Sequence, residues 1–117
     1  MRRARRNYQA ENALAVETIA RVSGVTVTLG ERVGKTPWCY FVDVVDKEIS
    51  LSGDLYPISK GPLSGEFSLA LRTRCAWGNV REGSLVLMVT GSPEELGVKL
   101  RNNLAWMREQ TNKEAGK

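Results

Sequence analysis

The sequence predicts an α+β fold: an antiparallel sheet of four to five strands with an N-terminal and a C-terminal helix packed on one face, in the order α-β-β-β-β-β-α. Three observations carry this reading. Residues 66–77 alternate with period two, with Phe67, Leu69, Leu71, Thr73, Cys75 and Trp77 on one face and Glu66, Ser68, Ala70, Arg72, Arg74 and Ala76 on the other. Successive strand side chains point to opposite faces, so this is a long strand with one covered face. A turn-rich connection at 78–84 leads to a second β-forming run at 85–90, which completes an antiparallel hairpin. The third observation is the helix start Ser92-Pro93-Glu94-Glu95. Ser92 takes the N-cap, Pro93 the first helical position, and Glu95 closes a capping box.

The remaining elements follow in chain order. Residues 1–7 form an Arg-rich tail with little to bury, expected to be mobile. One domain then spans 8–112. Residues 8–22 read as a helix, free of Pro and Gly, with Leu14, Ala15, Ile19 and Val22 as its apolar stripe and Ser23-Gly24 as its stop. Residues 25–29 are a short β-branched strand, and 30–37 a polar loop. Residues 38–45 form a nearly continuous apolar strand, with Cys39, Phe41, Asp43 and Val45 on one face and Trp38, Tyr40, Val42 and Val44 on the other. Apolar residues on both faces suggest either an interior strand or a face used in self-association. Residues 48–52 return as a strand after an Asp46-Lys47 turn. The segment 53–65, rich in Gly and Pro, reads as the longest irregular stretch and a place where a site can lie. In the last helix, Leu96, Leu100, Leu104 and Met107 repeat at helical spacing, Gly97 weakens it by about 1 kcal/mol, and residues 113–117 fray.

Bulk properties narrow the function. The net charge of +4 is carried by Arg2, Arg3, Arg5 and Arg6; the rest of the chain has 13 basic and 13 acidic residues. A basic tail on a neutral body weakens the inference from pI to nucleic acid. No apolar run approaches the roughly 20 residues that span a bilayer. The Arg-rich start is not followed by an apolar secretion core, so a cytoplasmic protein without a membrane partner is expected. Cys39 and Cys75 read as reduced, packed thiols, with a bridge between them left open. With no histidine in the chain, neither a zinc site nor an ordinary Ser or Cys nucleophile has its usual partner.

Individual motifs are weak. Gly30-Glu31-Arg32-Val33-Gly34-Lys35-Thr36 imitates a phosphate-binding loop, but it has three residues between its glycines where four are needed, and β-forming residues follow where a helix should. Asp43, Asp46, Glu48 and Asp54 form the densest acidic group, with solvated strand ends and turns as the ordinary explanation. No cofactor and no metal are expected. The leading expectation is a small non-catalytic binding protein acting through an aromatic pocket or protein interface built from Trp38, Tyr40, Tyr56 and Trp77. It would take a small apolar ligand or a protein partner and homodimerise through the sheet face of Trp38, Tyr40, Val42 and Val44. A nucleic-acid-binding protein using Arg2, Arg3, Arg5, Arg6, Arg72 and Arg74 is the first alternative. A carboxylate-based enzyme using Asp43, Asp46 or Asp54 is the second.

Overall fold

The computed structural model describes residues 7–58 and 65–115 of the chain. In order the elements are α1 (Tyr8–Ser23), β1 (Thr26–Arg32), β2 (Tyr40–Asp46), β3 (Ile49–Pro57), β4 (Phe67–Thr73), β5 (Leu85–Gly91) and α2 (Pro93–Ala115). The strands form one antiparallel meander whose spatial order is the chain order, with β3 at the centre and β1 and β5 at the edges. This is the α+β architecture the sequence predicts, with α2 continuing to Ala115, into the segment expected to fray.

The ends of α1 are set locally. Asn7, which sequence reading leaves in the tail, is the N-cap: its Oδ1 accepts from the Ala10 N–H at 3.0 Å. Gly24 ends the helix in the left-handed region at φ 75°, its N–H donating to the Ala20 carbonyl. The capping box of α2 forms as expected. The Glu95 N–H donates to Ser92 Oγ at 3.2 Å, and the Ser92 N–H donates to Glu95 Oε1 at 3.3 Å.

Side-chain parity decides the layers. On β4, Phe67, Leu69, Leu71 and Thr73 are buried, as the alternation requires. They join Val42 and Val44 of β2 and Ile49, Leu51 and Leu55 of β3 in one core with Ala15, Val16 and Ile19 of α1 and Leu96, Leu100, Leu104 and Met107 of α2. Both helices therefore cover the same sheet face. This reverses the expected use of β2. Val42 and Val44 are 1% and 0% exposed, so they cannot form a dimerisation face; the opposite residues Phe41 and Val45 are the exposed ones. In α1, Leu14 is 65% exposed and outside the stripe, whereas Asn12 is fully buried.

Three strands end elsewhere than expected, and the first of them, β1, runs on to Arg32 into the expected 30–37 loop. β4 stops at Thr73, because the Thr73 Oγ1 donates to the Arg81 carbonyl and the chain folds back as a small hairpin closed by the Trp77–Val80 bridge. Cys75 is consequently exposed. β3 runs through Gly53 to Pro57 rather than dissolving at residue 53. Gly53 lies on the helix side between Leu51 and Leu55, where a Cβ would collide with the Ala70 carbonyl of β4. It permits a close strand approach, not a turn. Residues 59–64 of the expected irregular segment lie outside the described residues.

The two helices touch at Gly97, where a Cβ would stand 2.6 Å from Val22 Cβ and 3.2 Å from the Ile19 carbonyl oxygen. Gly97→Ala should therefore destabilise the fold by about 1–2 kcal/mol in denaturant unfolding, overcoming the better helix propensity of Ala. Val22→Ala in the same chain should recover little of that loss, because alanine keeps the Cβ that the new methyl meets. A Gly97→Ala protein as stable as the original would mean the helices do not need this contact.

Candidate functional site

The aromatic residues expected to share a site are dispersed. Trp38 is exposed in the β1–β2 connection, its carbonyl accepting from the buried Asn12 Nδ2 at 3.1 Å. Asn12 Nδ2 also donates to the Tyr8 carbonyl, so this side chain fastens α1 to the connection. Tyr40 is half-buried on the helix side, opposite Leu55. Tyr56 is half-buried on the helix-free side, opposite Ser68. Trp77 lies at the other end of the sheet, where its indole N–H donates to the Met107 carbonyl of α2 at 3.0 Å. Trp38, Tyr40 and Tyr56 thus share one end of the sheet but not one face, and Trp77 anchors a helix.

The acidic group is divided in the same way. Asp43 and Asp54 lie on the helix-free face, and Glu48 is in the β2–β3 turn. Asp46 points to the helix side and forms an ion pair with Arg108 of α2, its side chain only 12% exposed. Among the described residues no group of three or more His, Cys, Asp or Glu side chains is placed to hold a metal ion. No described helix is long and apolar enough to cross a membrane.

Arg72 and Arg74 both serve the fold. Arg72 Nη1 donates to the Gly83 carbonyl at 3.1 Å. Arg74 Nη1 lies 3.7 Å from Asp43 Oδ1, in an exposed pair worth at most about 1 kcal/mol. Arg2, Arg3, Arg5 and Arg6 lie outside the described residues.

What the fold does bring together is the helix-free face. Paired residues of antiparallel strands point the same way, so the register sorts it into rows. One row runs Phe41, Asp54, Ala70, Met88, and the next Asp43, Ser52, Arg72, Leu85. Phe41 and Val45 stand on β2, and Leu85 and Met88 on β5; Met88 is 70% exposed and Phe41 49%. Between these two apolar margins β3 and β4 offer mostly small side chains, Ser50, Ser52, Ser68 and Ala70, with Asp54 and Arg72 among them and Tyr56 at one end. The margins are three strand spacings apart, about 14 Å. Period-two alternation would put Leu85 on the face of Leu87 and Val89; the register shift between Leu71 and Arg72 turns it to the face of Met88, and nothing in the β2 run tells Phe41 from Val42.

The cysteines are free and lie at opposite ends of the sheet, Cys39 before β2 and Cys75 after β4. Burial, reinforced by the Asp54 charge, pushes the Cys39 thiol above its ordinary value. No protein-family model, curated protein or solved structure matches the chain.

Three measurements check these assignments. A thiol reagent should label Cys75 in the native protein and Cys39 only on unfolding. Because the folded state holds the Cys39 proton more tightly, its contribution to stability should be intact below about pH 8.5 and decline as pH rises through the folded-state value. A Cys39→Ala chain should lack that alkaline decline. Arg108→Ala should lower stability by about 1–2 kcal/mol by stranding the Asp46 charge, and adding Asp46→Asn should restore part of it.

Proposed function

We propose that this chain is a non-catalytic binding protein that takes a helix-sized segment of a protein partner on the helix-free face of its sheet. The observation that carries this reading is the pair of exposed apolar margins, Phe41 with Val45 and Leu85 with Met88, flanking a lane of small side chains. Large apolar side chains clustered at exposed sheet positions favour an interaction surface over a solvated one. A lane of about 14 Å is close to the 10–12 Å diameter of a helix with its side chains. Asp54 and Arg72 within it give the partner both signs of charge to align with, which sets orientation more than affinity. A nucleic acid would want a cluster of positive charge on this face, whereas Arg74 sits beside Asp43, and Asp43 and Asp54 share the face with Arg72. For a carboxylate enzyme, Asp46 is committed to Arg108 and stands on the opposite face from Asp43 and Asp54.

Photo-crosslinking from position 85 in cells of the source should capture a discrete partner. Phe41→Asp and Met88→Asp should abolish that capture while leaving the melting temperature within a few degrees, because both positions are exposed in the fold. Leu14→Asp, an exposed apolar position on α1, should leave it unchanged. Capture insensitive to Phe41 and Met88, or lost equally with Leu14, would remove this reading.

A further inference from the structure

The two edges of the sheet are not equivalent. At β5 the edge is guarded by α2: the Val86 carbonyl accepts from Asn103 Nδ2 at 2.8 Å, and the Thr90 carbonyl accepts from Lys99 Nζ at 3.0 Å. Side chains crossing an edge strand in this way block its use as a template for another chain. At β1 no such guard exists among the described residues; no side chain bonds to the backbone of Thr26–Arg32. Residues 26–30 read Thr-Val-Thr-Leu-Gly, without a charge, a proline or an inward-pointing polar group. On β1 the charges Glu31 and Arg32 and a register shift, two of the devices that protect exposed edges, come only after Leu29, so residues 26–29 are left without them. Val27 and Leu29 are only partly buried against the core, whereas Val42, Val44, Leu51, Leu55, Leu69 and Leu71 in the inner strands are at most 1% exposed.

We propose that the β1 edge is a homodimer seam, at which β1 pairs antiparallel with β1 of a second copy to make one continuous ten-stranded sheet. The strand is self-complementary about Thr28. With Thr28 facing Thr28 of the other copy, Val27 faces Leu29 on the helix side and Thr26 faces Gly30 on the helix-free side. Apolar residues then cover apolar residues, and the Thr–Thr pair is of the kind that favours sheet pairing. A register centred on Leu29 would set Val27 against Glu31 and is disfavoured. The twofold axis stands perpendicular to the sheet, so the helices of both copies lie on the same side and the two helix-free faces join into one surface. The seam uses β1 alone and involves none of the residues assigned to partner binding, so the two proposals fail separately.

Light scattering after size exclusion, at about 0.1 mM protomer, should read a dimer for the full chain. Thr28 is exposed, so Thr28→Lys and Thr28→Glu should each stay folded with a cooperative melt yet run as monomers, because like charges face across the seam. An equimolar mixture of the two should return the dimer. Amide exchange in β1 should be slow in the original chain and fast in each single variant. A monomeric original chain, with β1 left for an extended peptide of another protein or for nothing, overturns the seam. So does a dimer that Thr28→Lys leaves intact, or a mixture that stays monomeric.

Discussion

The fold depends on one act of burial, the covering of a single face of the meander by two helices that meet at Gly97. Val42, Val44, Leu51, Leu55, Leu69 and Leu71 are almost fully removed from water there. Each such side chain contributes about 1.5–3 kcal/mol relative to exposure. Dispersion and burial are non-directional, so they do not by themselves fix where each helix lies. Polar contacts at the periphery do that. Asn12 ties α1 to the Trp38 carbonyl, while α2 is held by Trp77 and Arg108 near one end and by Asn103 along β5. Three of these contacts involve residues that a sequence reader would sooner place in a pocket, an acidic site or on a solvated face.

The same one-sidedness leaves the other sheet face and one edge without a partner among the described residues. α2 reaches over β5 and occupies its carbonyls, whereas among the described residues no α1 side chain bonds to the backbone of β1. An open face with apolar margins and an open edge that is uncharged over residues 26–30 are distinct surfaces with different chemistry. The face presents side chains to a partner's side chains. The edge presents unpaired N–H and C=O groups, which favour another strand.

Much of the fold was legible in the residues because the signals were local. A capping box needs only Ser92 and Glu95, a left-handed C-cap needs only Gly24, and the alternation in β4 marks its own buried face. The candidate site was not legible. In β2 both alternating sets are apolar, Tyr40, Val42 and Val44 against Phe41 and Val45, so periodicity identifies a strand without saying which face the helices take. Gly53 looks like a loop residue until the Ala70 carbonyl is seen to need its missing Cβ. Asp46 looks like a solvated turn residue until Arg108, far along the chain, is brought to it. Asn12 looks like surface until its two carbonyl acceptors are in place.

The sequence by itself determined the element order, the antiparallel hairpins, the helix ends and the inward face of β4. Each rests on backbone preferences and side-chain periods spanning a few residues. Tertiary structure alone decided which face of β2 is covered, that Trp77 anchors a helix, that the four acidic residues part company, and which edge stays open. These depend on residues remote in the chain meeting across the sheet, and a linear pattern carries no record of which side of a strand the helices will choose.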